Sequence, residues 1–473
     1  MSAERYERAY FWAFVSTLVL CWSPINALAY AAPLIAVAVF ILLSRSQTAI
    51  RNAVIWFLIW GVIIFFYIAL TPGFVIHSAL LSVVTYSTFL VVLAIPGRFV
   101  SSTNLLQRML ALARWIIIFE ALVGITQGVY GFTGTGSFDI ANGDFVEGTI
   151  HPALATERSL SNPMFAINMA FLLVAVLPDL ILKRKGFIAV CLGAVALILA
   201  SVLHVLLMLV VAGVLAILLF WPISLRRRMV ILVGSGFVIA AIAAFFVLRS
   251  NFGTADEFAR QLLSGESVRT VAIQRAVNDM PQDYLLLPLI GLGPGQFSSR
   301  AGLIGTGLYF GGPNFPRPVP FLPTGMSKAL EENTLDLWLE VSRLSLEGII
   351  VGSTNQPFLS WLSVYVEWGL LVLVAVFGLV LYLLLRARLV THSYPERVLG
   401  ASFGTGLLLL LFLGAQENYW EVPQAILVGL MIFKVQFAIL MNSEARISLT
   451  RSQQKSAVYP PGQTKTPRIS PSG

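Results

Sequence analysis

The stretch 53-AVIWFLIWGVIIFFYIALT-71 holds no charged residue and is apolar almost throughout. As a helix it would be about 28 Å long, close to the thickness of a bilayer's hydrocarbon core. Working outward, further segments of this kind lie near 9–26, 28–44, 74–95, 115–131, 164–182, 187–202, 204–221, 229–248, 358–385, 398–415 and 422–441. The runs 9–44 and 187–221 are each too long for one span. Pro24 and Asn26 break the first, and the second breaks near Ser201–His204. Composition agrees, since 57% of the 473 residues are hydrophobic and 11% are charged, against about 25% charged in a soluble domain. That excludes disordered, collagen-like and ordinary soluble-enzyme classes. The expected fold class is an all-α polytopic membrane protein with about twelve transmembrane helices.

The formal net charge of +8 is read by position before any nucleic-acid partner is invoked. With the N-terminus in the cytoplasm, the inner segments hold Arg5, Arg8, Arg45, Arg51, Arg98, Arg108, Arg114, Lys183, Arg184, Lys185, Arg226, Arg227, Arg228, Arg386, Arg388 and Arg397. The tail adds Arg446, Arg451, Lys455, Lys465 and Arg468, whereas the short outer connections offer only Arg158. This asymmetry places both termini in the cytoplasm, and the charge serves as a topology marker, not a nucleic-acid footprint. Arg5, Arg8, the apolar run from Ala9 and Ala27-Leu28-Ala29 have the layout of a signal peptide. The adopted reading is a first helix that turns at Pro24 into the second. Cys21 and Cys191 both fall within spans, so no disulfide framework or zinc site is expected.

The chain then divides into 1–248, nine spans with a short outer loop near 131–163; 249–357, a large outer loop; 358–441, three spans; and 442–473, a polar, Pro-containing tail expected to be disordered. The large loop is too long for a passive connector. Its front half has helical periodicity, and Arg269 and Arg275 are displaced around that helix. PLIGLGPGQF and a Gly/Pro-rich stretch to Gly325 follow, and then an amphipathic segment with Leu330, Leu335, Trp338, Leu339 and Leu346. Its basic residues are Arg249, Arg260, Arg269, Arg275, Arg300, Arg317, Lys328 and Arg343. Arginine pairs two-handed with phosphate and keeps its charge. Ten acids balance these residues, so a few placed arginines, not a broad basic field, would hold an anion. Most of the others are expected in surface ion pairs. Among residues within spans, Lys434 is expected to snorkel towards the cytoplasm, and Glu120 and Asp179 are placed near cytoplasmic helix ends.

Three stretches give the chain a family resemblance: RSLSNPMFA from Arg158, SVRTVAIQRAVNDMPQDYLLLPLIGLGPGQF around Arg269, and TNQPFLSWLSVYVEWGLL with Glu367 and Gly369. In order and topology they resemble the O-antigen ligase/polymerase family of bacterial inner-membrane glycosyltransferases. The resemblance implies a GT-C-like helical fold and a metal-independent transfer, without a cofactor, on the periplasmic face of the inner membrane. The donor is an oligosaccharide on undecaprenyl pyrophosphate, the acceptor a sugar hydroxyl of a second lipid-linked unit. The enzyme would sit in membrane lipid beside other polysaccharide assembly proteins, with no nucleic acid involved. Arg158 and Arg269 would bind the pyrophosphate, with Arg275 or Arg300 assisting. Gly291, Gly293 and Gly295 would let the backbone approach sugar or phosphate, and Asn355 and Gln356 would bind the acceptor. Ligases of the family carry His-Asn where this chain has Asn355-Gln356. Loss of the histidine removes the expected general base and favours a polymerase over a ligase. His151 and Glu367 are the candidate bases. A lipid-linked glycan transporter is the reading from a different class.

Overall fold

A computed structural model describes residues 3–23, 25–135, 146–150, 161–221, 260, 264–265, 267–310, 312–346 and 356–458. Among these residues every regular element is a helix. The first nine α-helices are α1 (Ala3–Cys21), α2 (Asn26–Ser44), α3 (Gln47–Leu70), α4 (Ile76–Thr85), α5 (Ser87–Ala94), α6 (Thr103–Thr135), α7 (Ser161–Lys183), α8 (Phe187–Leu199) and α9 (Leu203–Phe220). The long connection contributes α10 (Val268–Gln274), α11 (Met280–Asp283), α12 (Leu287–Ile290), α13 (Arg300–Gly305), α14 (Lys328–Asn333) and α15 (Leu335–Leu346). Three long helices follow: α16 (Ser360–Val390), α17 (Tyr394–Leu413) and α18 (Pro423–Val458).

Seven helices are long and apolar enough to cross a membrane: α3, α6, α7, α9, α16, α17 and the Pro423–Ser443 part of α18. The α4–α5 pair, bent by 49°, would make an eighth. The other expected spans differ for identifiable reasons. The helix α1 carries Glu4, Arg5, Glu7 and Arg8 in its first two turns and is not among the seven. Leu28–Ser44 within α2 is a shorter apolar helix, as is α8. The 13 residues of α8 reach about 20 Å, short of the hydrocarbon thickness. The expected span 229–248 lies outside the described residues.

The spans α7, α17 and the Pro423–Ser443 part of α18 are mostly buried within the protein. Small residues allow the close approach: a side chain at Gly406 would meet the Phe433 ring, and one at Gly429 would meet Phe171. Lipid tails are as apolar as leucine, so such packing and interhelical hydrogen bonds hold the bundle. Tyr10 donates to the Met431 carbonyl at 2.9 Å, and the Gln436 amide donates to Ser402 Oγ at 3.2 Å.

Two sequence expectations about charged residues are corrected. The Lys434 ammonium does not reach out of the bundle. It turns inward and donates to the carbonyls of Val91 and Val92, at 2.9 and 2.7 Å, and to Ile95. The cause is local: α5 ends at Ala94 before Pro96, and the last carbonyls of a helix lack intrahelical partners. Glu120 lies in mid-helix and accepts the Thr149 N–H at 2.8 Å and its hydroxyl at 2.6 Å. Gln127 Oε1 accepts the N–H groups of Glu147 and Gly148. Together they pin residues 146–150 along α6. Asp179 pairs with Arg114 and Lys183.

The long connection is joined to α16 at a kink. Gly369 has φ 79° inside that helix, and a Cβ there would sit 2.2 Å from the Leu289 carbonyl oxygen. Leu292 N–H donates to Val366 O at 2.9 Å and Gly293 N–H to Glu367 O at 2.8 Å. Gly369→Ala must therefore pay for a positive φ, roughly 1–3 kcal/mol, and displace a backbone as well. A clear fall in thermal unfolding temperature in detergent is expected, and an unchanged temperature would count against this junction.

Candidate functional site

Serines start the short helices that carry the site. Ser267 accepts the Thr270 N–H at 3.0 Å and caps α10, which sets Arg269 in its first turn. Ser299 accepts the Gly302 N–H at 3.1 Å and caps α13, which begins at Arg300. Such caps contribute about 1 kcal/mol each. Both arginines point inward and converge on the turn 416-QENYWE-421 between α17 and α18.

Arg269 donates from Nη2 to the Gln416 carbonyl at 2.7 Å and from Nη1 to Gln416 Oε1 at 3.4 Å. Its Nε and Nη2 also face the Gln356 carbonyl at 3.4 Å. Burial lowers the guanidinium to about 10, with Glu417 and Tyr419 opposing that shift, so it remains a cation at neutral pH. Arg300 is 2% exposed. Its Nη2 donates to Glu417 Oε1 at 2.7 Å, its Nη1 donates to the Tyr309 hydroxyl, and its guanidinium carbon lies 4.9 Å from the centre of that ring. Burial alone would lower Arg300, but Glu417 and other neighbours hold it above the ordinary arginine value.

The rest of the turn is equally tied in. Asn418 Nδ2 donates to the Ser298 carbonyl, and its Oδ1 accepts from Ser363 at 3.2 Å. Tyr419 OH and His204 Nε2 are 3.5 Å apart. Glu421 Oε2 accepts from the Thr85 hydroxyl at 3.2 Å and the Ala301 N–H at 3.3 Å. Five buried polar atoms of this cluster have no hydrogen-bond partner among the described residues: Arg300 Nε, Gln356 Oε1, Gln416 Nε2, Glu417 Oε2 and Glu421 Oε1. Orphaned buried polar atoms are costly and uncommon, so their concentration at one place makes this the candidate site.

Burial pushes the Glu421 carboxyl above the usual carboxylate range, and the Ala301 and Arg300 N–H groups pull it partly back. The folded chain therefore holds a proton that the unfolded chain releases near pH ~4.3. Stability should fall as pH rises from there towards neutrality, and level off above the folded-state value. Glu421→Gln should flatten that slope. Unfolding in detergent at about pH 5 and about pH 7.5 checks it; an equal slope in wild type and variant would contradict it.

The other expected site residues fall differently. Glu367 is buried and engaged: its oxygens accept the N–H groups of Gly295 at 2.8 Å, Phe297 at 2.9 Å and Ser299 at 3.3 Å. It anchors the loop 295–299 and is poorly placed for a base. The three glycines are taken up by packing against the chain itself. A Cβ on Gly291 would sit 2.3 Å from the Glu367 carbonyl carbon, one on Gly293 against Phe74 and Tyr67, and one on Gly295 against Ser78. All three have positive φ. They allow close approach to protein backbone and side chains, not the expected approach to a ligand. Arg275 forms a two-handed pair with Asp336 at 2.7 and 2.8 Å on the surface of the connection and also donates to the Asn333 carbonyl at 3.1 Å. That hydrogen-bonded pair raises Arg275 and lowers Asp336. Gln356 joins the cluster through its carbonyl, while Arg158, His151 and Asn355 lie outside the described residues.

The turn 416–421 was absent from the sequence expectations. The available signal was two glutamates, Gln416 and Asn418 in a connection of a few residues between apolar helices. Among the described residues no group of three or more His, Cys, Asp or Glu side chains is placed to hold a metal ion. No family model, curated protein or solved structure matches the chain. The family resemblance therefore rests on its three stretches of sequence.

Proposed function

We propose that the chain is a polysaccharide polymerase that joins undecaprenyl-pyrophosphate-linked oligosaccharide units at the periplasmic face of a bacterial inner membrane. The reading takes the fold as a GT-C-like platform of about twelve spans with both termini cytoplasmic. The acceptor sugar hydroxyl attacks the anomeric carbon of the donor. The bond to lipid pyrophosphate breaks, and the proton of the hydroxyl is lost to a base.

The observation that carries this reading is the buried Arg269 guanidinium, donating to Gln416 beside Glu417 at one end of an apolar helix bundle. A preorganised cation in such a place stabilises a leaving pyrophosphate by several kcal/mol, and needs no metal to do so. With Glu367 engaged by backbone N–H groups, the carboxyl oxygens left open are Glu417 Oε2 and Glu421 Oε1. In this reading one of that pair accepts the proton, and Gln356 and Gln416 hydrogen-bond the sugars.

The test is deletion of the encoding gene followed by glycan analysis. Loss of long chains with retention of single lipid-linked units on the outer face is expected. Units accumulating on the cytoplasmic face would instead indicate a transporter, and long polymer lacking its final acceptor a ligase.

A further inference from the structure

A second feature lies at the other end of the bundle from the polar cluster. That end is fixed by Arg5 donating to Leu43 O, Tyr6 stacking on Phe99 at 4.0 Å, and Asn442 donating to Ser101. There a cavity of about 480 Å³ opens between the turn after α5 and helices α16, α17 and α18. This is within the ~300–1,000 Å³ range of small-ligand sites. Its wall is apolar, with Leu407, Phe433 and Phe437 prominent, and such a wall is a poor host for water.

Among the described residues the polar side chains that line it are Arg98, Ser101, Lys434 and Asn442, with no carboxylate. The Lys434 ammonium is engaged by the α5 carbonyls. Arg98 is exposed at the lip, its guanidinium 5.1 Å from the centre of the Phe99 ring. The site thus offers an apolar cleft with a cation and two hydrogen-bonding groups at its mouth. A free anion would leave the cleft unfilled, and a neutral hydrocarbon would leave Arg98 unused. The chain's own end is a poor occupant, because 442–473 carries Arg446, Arg451, Lys455, Lys465 and Arg468 against Glu444 alone.

We propose that this cavity binds one anionic phospholipid, an acyl chain along Leu407, Phe433 and Phe437 and the phosphate at Arg98, Ser101 and Asn442. The site is independent of the proposed reaction. One basic side chain near an anionic headgroup favours it about fivefold over a zwitterionic one.

Full-length protein in detergent is titrated with phosphatidylglycerol or phosphatidylcholine, and bound lipid is counted by native mass spectrometry. One retained phosphatidylglycerol per chain is expected, with phosphatidylcholine about fivefold weaker. Arg98→Ala, at the exposed lip, should erase the preference and keep the lipid. Ala438→Phe, on the wall, should remove the retained lipid whichever headgroup it bears. Equal retention of both lipids by the wild type would overturn the proposal. So would a preference that survives Arg98→Ala, or a full lipid count in folded Ala438→Phe protein.

Discussion

Arg300→Ala is expected to destabilise the folded chain by roughly 3–5 kcal/mol. The size follows from what would be left behind. Arg300 and Glu417 are 2% and 5% exposed as side chains, joined at 2.7 Å. Glu421 shares the same surroundings and contributes to holding the guanidinium charged. Removing the arginine strands a buried carboxylate whose second oxygen already lacks a partner. The pair as a whole need not be a net gain, because its desolvation cost is large. Arg300→Met combined with Glu417→Gln should therefore recover much of the loss. Thermal or denaturant unfolding in detergent measures both. A shift for Arg300→Ala within about 0.5 kcal/mol would be that of a surface pair, and would contradict the described burial.

Arg269→Ala is expected to lower polymer formation about 10²–10³-fold, the usual loss when one preorganised donor to a developing anion is removed. Arg269→Lys should restore only part of it, since an ammonium lacks the planar fork. Arg275→Ala is the matched control. Its partner Asp336 is 57% exposed and the pair lies on the surface, so polymer length should stay close to that of the wild type. Full-length polymer from Arg269→Ala would end the leaving-group assignment. Equal losses from Arg269→Ala and Arg275→Ala would point to disturbance of the whole connection and not to chemistry.

Much of this arrangement was legible in the sequence at the level of spans. Uncharged runs such as 53–71 and 204–221 announced their helices, because a backbone in lipid must satisfy its hydrogen bonds internally. Runs near the length limit were less decisive. Phe187–Leu199 is as apolar as any other helix but shorter, and α1 has its charges inside the helix, not before it. The six-residue spacing of Arg269 and Arg275 showed that they are displaced around the helix, but not which of the two turns inward. What spacing could not show was the partner of each charge. Glu367 had the features of a base until three backbone N–H groups proved to converge on it. The three glycines matched a ligand-approach motif, yet their missing side chains make room for Glu367, Tyr67 and Ser78. Lys434 lies where snorkelling was reasonable, and only the broken end of α5 explains its inward turn. The 416–421 turn has the ordinary length of a connection between helices. Its chemistry is not: burying two glutamates at a helix turn is expensive unless they are paired and hydrogen-bonded, as Glu417 is by Arg300 and Glu421 by Thr85 and Ala301.

The most direct measurement uses the wild-type chain reconstituted in vesicles with purified lipid-linked oligosaccharide units. A ladder of products one repeat apart, formed with release of lipid pyrophosphate and lost in Arg269→Ala, is the result this account predicts. Units that stay single in the presence of correctly inserted protein, or that merely cross the vesicle membrane, would contradict it.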